Sequence, residues 1–287
     1  MKKTLLRSFI FFCALLQIEA AYAQRPMDKL DRGLVAVPAA QGNLVSWRVF
    51  GEEYYDVTYN LYCNGTRIAT NLQASNYNHT AGNASSSYQV SAVVRGVEQP
   101  LSESVKRWGN GYYEFPVKGV VDRNGTDVTA DYTLNDVTLA DVTGDGVVEF
   151  IIKRPCSKAW TTSNKTEFNV LDCYTLSGER LWWIDLGPNM LSGPDEQWDC
   201  VGFDWDGDGK AEVILRGQDN MIIHHPDGST TEIGDMSVDT RWDGIEYTSS
   251  GREYLLYLEG ATARVYTQMD YPLTRGTDSE WGSGIVG

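Results

Sequence analysis

The chain is 287 residues long and 42% hydrophobic, with 24 Lys and Arg against 39 Asp and Glu and a formal net charge of −15. That length holds one large or two ordinary domains, and the composition excludes a disordered or collagen-like chain. Such acidity argues against nucleic acid and anionic membranes as partners. It favours cations, and it repels an acidic polymer unless bound metal or local Lys and Arg reverse the field.

Taken from its start, the chain opens on Lys2, Lys3 and Arg7, an apolar run over Phe9–Leu16, and "AYA" before Gln24. Residues 1–23 therefore read as a secretory signal peptide, with an apolar run too short for a stable membrane span. A periplasmic or secreted protein is expected, and no second run reaches spanning length. Losing Lys2, Lys3, Arg7 and Glu19 leaves the mature chain more acidic still. Export permits disulfides among Cys63, Cys156, Cys173 and Cys200, but their spacing fits no zinc motif and fixes no pairing.

Residues 24–106 read as short alternating strands, among them "LVSWRVF", "VTYNLYCNGTRIA" and "SYQVSAVVRGVEQP". Asn64-Gly65 and Arg95-Gly96 are hairpin signals. The pattern predicts a β-sandwich resembling a fibronectin type III module. Residues 107–126 form a Gly-containing connector. From 127 to 287 the rhythm changes: an acidic loop, a buried strand, another strand and a turn occur twice, and "REYLLYLEGATARVYTQM" repeats the strands without the acidic loop. This internal repeat points to propeller blades. With no amphipathic helix beyond two turns after the leader, the expected class is all-β: a sandwich followed by an incomplete β-propeller. Sixteen Tyr and nine Trp suit β-packing, with a sugar-stacking surface as the sharper reading.

The two acidic loops carry the most specific chemistry. In "DWDGDGKAE", Asp204, Asp206, Asp208 and Glu212 occupy positions 1, 3, 5 and 9, with Gly207 and Gly209 between. A tight loop turns alternate side chains inward, and with the Lys210 carbonyl and water they offer the oxygen-rich set calcium prefers. The flanking segments are strands and the spacing is short, which excludes an EF-hand. The earlier loop repeats the scheme with Asp141, Thr143, Asp145, Glu149 and the Val147 carbonyl. A hydroxyl at Thr143 replaces one charge, so weaker binding is expected there. The cations are expected to pin turns rather than perform chemistry.

The ordered series "RGLVAVPAAQGNLVSWRVFG", "YNLYCNGTRI", "VVRGVEQPLSE", "NDVTLADVTGDGVVEFIIK", "LWWIDLG" and "DWDGDGKAEV", closing on "RGTDSEWG", resembles the rhamnogalacturonan lyases of polysaccharide lyase family 11. The resemblance runs from about Met27 to the end. It implies an eight-bladed β-propeller with bound calcium, acting on the pectin backbone rhamnogalacturonan I, an acidic plant cell-wall polysaccharide, by β-elimination. It also implies a substrate cleft that includes Asn135. "RPC" after Lys153 stands where the family reads Trp-Asp-Pro, and "NMLSGPDEQWDC" lacks a family His. Three blades are expected here, with the family's base further on, so the resemblance implies the front portion of such an enzyme, without full activity. No catalytic base is assigned. A non-catalytic, calcium-stabilised module binding glycan or protein is the rival reading.

Lys153 and Arg216 follow the two acidic loops at strand ends, where either could reach a uronate in the cleft. His79, His224 and His225 are the three histidines, and the adjacent pair points to opposite faces of a strand. The pair reads as surface turn residues before Pro226. One ring of Trp182-Trp183 is expected inward.

Overall fold

The computed structural model describes residues 28–51, 53, 56–191, 199–242 and 250–273. Residues 1–23, expected to be a leader, and the closing "RGTDSEWG" motif lie outside the described residues. Among the described residues the chain is all-β, with one short 3₁₀ turn at Thr129–Asp131. No helix there is long and apolar enough to cross a membrane.

The first half forms two sheets. Strands β1 (Val35–Pro38), β2 (Asn43–Ser46) and β5 (Asn76–His79) lie in the order β1-β2-β5. Strands β3 (Thr58–Cys63), β4 (Thr66–Leu72), β6 (Ser87–Val94) and β7 (Val97–Glu98) form the order β4-β3-β6-β7, with β8 (Val105–Lys106) also paired to β6. Alternate side chains from both sheets meet in one core: Ala36, Val45 and Trp47 against Tyr59, Leu61, Tyr88 and Val90. Trp47 and Tyr59 pack edge to face at 5.4 Å. The two hairpin turns have the positive φ their sequences predict: 49° and 76° at Asn64-Gly65, and 51° and 79° at Arg95-Gly96.

The second half also forms two sheets. Strands β9 (Val137–Ala140), β10 (Glu149–Arg154), β11 (Val170–Tyr174) and β12 (Arg180–Asp185) make an antiparallel meander. Strands β13 (Cys200–Phe203), β14 (Glu212–Gln218), β17 (Glu253–Leu258) and β18 (Val265–Asp270) make the other sheet, in that order. Ile151, Trp182 and Ile184 from the first and Val213, Leu215 and Leu256 from the second belong to one core. Every residue of β11 is buried, as befits a strand covered on both faces. Trp182 is in that core and its indole N–H donates to the Gly260 carbonyl at 2.6 Å, while Trp183 is half-buried, so one ring faces inward as expected.

The sequence repeat does not map onto two equivalent sheets. Strands β15 (Met221–His224) and β16 (Thr230–Ile233) do not pair with β14; β15 pairs with β12 and extends the first sheet to six strands. The reason lies at the β14–β15 turn. Asn220 sits at φ 69°, and Arg123 grips its side-chain and main-chain oxygens at 2.6 and 2.9 Å while bonding Asp185 at the end of β12 at 2.6 Å. This clamp carries the chain out of β14 onto the edge of β12.

Of the adjacent pair, His224 closes β15 and His225 opens the turn before Pro226, and the side chains of both are engaged. His79 Nδ1 lies 3.0 Å from the buried Tyr88 hydroxyl. His225 is held by the Thr262 carbonyl and the Thr231 hydroxyl at 2.9 and 2.8 Å. His224 stacks on Trp183, centroids 3.7 Å apart and planes 6° apart, which covers one face of that indole against any sugar. Cys63, Cys156, Cys173 and Cys200 are all buried and free.

Burial first, and then Arg180, hold the His224 pKa down to about 4. The folded state thus resists a proton that the unfolded chain accepts at about 6.5. The contribution of His224 to stability is therefore expected to fall as the pH drops from about 6.5 to about 4, and to level off below; the raised Glu149 carboxyl contributes with the opposite sign over much of that range. After allowance for partial exposure the loss is about 1–2 kcal/mol. Thermal melts of the parent and of His224→Phe across this range should differ by that amount, the variant losing less as the pH falls.

Candidate metal centre and cleft

Both acidic loops join antiparallel strands, β9 to β10 and β13 to β14. In the later loop, buried Asp204 organises the turn: its two carboxylate oxygens accept the N–H groups of Gly207 and Gly209 at 2.7 and 2.9 Å. Glu212, also buried, accepts the Trp205 N–H at 3.1 Å. Exposed Asp206 and Asp208 accept the N–H groups of Asp208 and Lys210 at 3.0 and 2.8 Å. Gly207 and Gly209 have φ of 80° and 96°, the left-handed region that lets the turn close so tightly. One carboxylate oxygen from each of Asp204, Asp206, Asp208 and Glu212 lies within 4.8 Å of the others.

This is the one convergent group of its kind among the described residues. Four carboxylates so close repel one another unless a cation lies among them. The all-oxygen donor set fits a hard divalent cation. Burial raises the Glu212 pKa from its ordinary value.

The earlier loop has the same hydrogen-bond plan. Buried Asp141 accepts the N–H groups of Gly144, Asp145 and Gly146, and Glu149 accepts those of Val142 and Thr143. Asp145 accepts the Val147 N–H at 2.8 Å. Thr143 gives its hydroxyl to Glu149 at 3.4 Å. Burial pushes Glu149 up to about 7 and raises Asp141. Its three carboxylates are not among the convergent groups, and Thr143 contributes no charge.

The two loops touch. The Ala211 N–H donates to the Asp141 carbonyl at 2.7 Å, and a Cβ on Gly144 would lie 2.9 Å from the Gly209 carbonyl oxygen. Strands β9 and β13 run beside each other, with Thr138 donating to the Cys200 carbonyl at 3.2 Å.

The three residues expected in a substrate cleft separate into different settings. Asn135 is exposed before β9; its side-chain oxygen accepts the Asp136 N–H at 2.7 Å. Lys153 reaches the same place, but its buried ammonium is held by Asp199 at 2.7 Å and Asp136 at 3.3 Å. Burial works against its charge and the two carboxylates outweigh that, so its pKa is raised. Arg216 stands elsewhere, on β14, buried and 3.5 Å from Glu253 on β17. Asn135 and Lys153 are thus neighbours, and Arg216 does not join them. Sequence reasoning missed Asp199, Glu253 and Tyr257, whose hydroxyl bonds Glu212. These partners lie far along the chain, where no local pattern marks them.

Fold and site together define an all-β protein with a cation-suited acidic turn between neighbouring strands of two packed sheets. Residues 25–108 match the model of the rhamnogalacturonan I lyase β-sheet domain, and residues 112–286 match that of the rhamnogalacturonan lyase family 11 C-terminal domain. The chain belongs to rhamnogalacturonan lyase family 11. It is 35% identical to rhamnogalacturonan endolyase YesW of Bacillus subtilis over 97% of its own length and 45% of the relative's. It is 35% identical to rhamnogalacturonan exolyase YesX of the same organism, over 91% and 42%. The solved structure of the Bacillus licheniformis rhamnogalacturonan lyase of family 11 superposes with a TM-score of 0.71 at 33% identity, covering 90% of this chain and 44% of that one. The chain therefore spans less than half the length of the relatives it matches.

Proposed function

We propose that this chain is part of a calcium-dependent lyase that cleaves the galacturonate-containing backbone of rhamnogalacturonan I by β-elimination. One observation carries the reading: close similarity to an endolyase and an exolyase across nearly its whole length. Asp204, Asp206, Asp208, Glu212 and the Lys210 carbonyl would hold one calcium ion. Asp141, Thr143, Asp145, Glu149 and the Val147 carbonyl would hold a weaker one. The ion supplies positive charge that fixes the turn and lessens repulsion of an acidic polymer.

The chain's own residues bind and orient. Asn135 spends its amide oxygen on Asp136 N–H, which leaves its amide nitrogen to donate to a sugar or carboxylate oxygen. Lys153 holds Asp136 and Asp199 in place beside it. The two sheets formed by β1–β8 support a fibronectin III-like sandwich. The β9–β12 meander and its neighbour support propeller-type blades. The leader at residues 1–23 supports export to the periplasm or beyond.

A second reading, a non-catalytic calcium-stabilised glycan- or protein-binding module, draws on Lys153, whose ammonium is already engaged by two carboxylates at the Asn135 site. Incubation with rhamnogalacturonan I separates them. Lyase action yields an unsaturated uronate that absorbs in the ultraviolet. Product from a longer form that adds the missing half of its relatives' length, but not from this chain, marks the front portion of a lyase. Retention on a rhamnogalacturonan affinity gel with product from neither identifies a glycan binder, and the absence of both retention and product overturns both glycan-directed readings.

The cation assignment has its own test. Chelation is expected to lower the melting temperature and calcium to restore it; at a hundredfold excess over Kd the stabilisation is about 2.7 kcal/mol. Elemental analysis without calcium and a melt indifferent to chelator would refute it.

A further inference from the structure

We propose that Asp28–Arg32 is a strap latched by the cation loop, with Asp28 as a positioning residue for that loop. This rests on the reading that Asp204–Glu212 holds a divalent cation.

Within that loop, the N–H groups of Trp205, Gly207, Asp208, Gly209 and Lys210 are taken up by the loop's own carboxylates. The N–H of Asp204, the first residue, is not. It donates to the Asp28 carboxylate at 3.0 Å, across 176 residues of chain. Asp204 is also the carboxylate that shapes the turn, so Asp28 fixes the backbone from which that side chain springs. Three residues on, the Asp31 N–H donates to the Gly146 carbonyl of the earlier acidic loop at 2.8 Å. Lys29 lies between, its ammonium 3.7 Å from where a Cβ on Gly209 would stand. One short segment therefore touches both acidic loops.

Its other end belongs to the N-terminal sheets. The Asp31 carboxylate pairs with the Arg48 guanidinium at 3.2 Å and accepts the Gly33 N–H at 2.8 Å. Arg32 pairs with Glu53 at 2.9 Å and lies 3.9 Å over the Phe50 ring, and its carbonyl accepts the Arg48 N–H at 2.8 Å. The strap thus joins the first pair of sheets to the loops of the second.

Charge makes this joint cation-dependent. Without a cation, Asp28 adds a fifth carboxylate beside four that already repel. With one, the repulsion becomes attraction and the Asp28 bond tightens. Binding linkage is reciprocal: if the cation holds the strap down, the docked strap tightens the cation.

The test uses the full chain with terbium, a calcium substitute whose luminescence is sensitised by the indole of Trp205 within the loop. Asp28→Ala is expected to weaken terbium binding about tenfold, the scale set by one lost hydrogen bond to a charged group. Asp28→Asn keeps an acceptor oxygen, so it should fold if Asp28→Ala does not, and its affinity should lie between. Trypsin cleaves after Lys29 and Arg32. Calcium should protect these bonds in the parent chain and much less in Asp28→Ala at calcium saturation. Equal affinity and equal protection in parent and variants overturn the strap while the cation reading stands. Absence of terbium binding in the parent overturns both.

Discussion

Asp204→Ala is expected to cost about 3–5 kcal/mol in calcium-containing buffer, the larger of the loop effects. Asp204 is buried, and its carboxylate satisfies the N–H groups of Gly207 and Gly209. Removing it strands both donors, at about 1–3 kcal/mol each for a group left unsatisfied. Under the proposed assignment it also removes a calcium ligand. Asp208→Ala provides the contrast. Asp208 is exposed and accepts one N–H, that of Lys210. Its loss should cost no more than about 1 kcal/mol of fold stability, because water replaces an exposed bond at little expense. It should nonetheless reduce the calcium-dependent part of the melting temperature. Denaturant melts of both variants, with calcium and with chelator, decide this. Equal losses in the two variants would show that the buried carboxylate does not organise the turn.

The second large effect lies outside the loops. Asp172 on β11 is fully buried, and one carboxylate oxygen accepts from the Arg154 guanidinium at 3.0 Å and the Tyr174 hydroxyl at 2.8 Å. Arg154 also donates to the Lys118 carbonyl at 2.7 Å, and the Lys118 N–H donates to the Tyr174 hydroxyl at 3.0 Å. The network fastens the connector across β10 and β11. Burial drives the Asp172 pKa up, and the hydrogen bond from Tyr174 and the charges of Arg180 and Arg154 draw it down. Breaking such a pair leaves one charge buried alone, so Asp172→Ala should destabilise by about 3–5 kcal/mol. Replacing both partners with apolar residues, Arg154→Met with Asp172→Leu, should cost clearly less than the sum of the two single changes. An additive double variant, measured by urea unfolding, would mean the pair is not coupled. Arg154 thereby belongs to a structural network.

Much of this was legible locally. Asn64-Gly65 and Arg95-Gly96 announce their turns because few residues tolerate positive φ. The alternation in "YNLYC" and "YQVSA" announces strands that turn their apolar residues toward one core. The acidic loops announce themselves because closely spaced carboxylates separated by glycine suit few structures other than a cation-binding turn. Trp182 inward and Trp183 half-buried follow from the period of a strand.

Partner choice was not legible. The sequence presents β13 to β16 as a copy of β9 to β12, yet β15 leaves its neighbour in the chain for β12. Nothing near residue 220 encodes that; the decision rests on Arg123, almost a hundred residues earlier. His224 carries no local mark of the indole it stacks on. Lys153 reads as a free cation until Asp136 and Asp199 converge on it. Local propensity and turn chemistry act between neighbours, so the sequence by itself determined the all-β class, the hairpins and the acidic turns. Which edge each strand joins, and which charges meet, depend on contacts between distant segments that form when the sheets pack; the tertiary structure alone decided those.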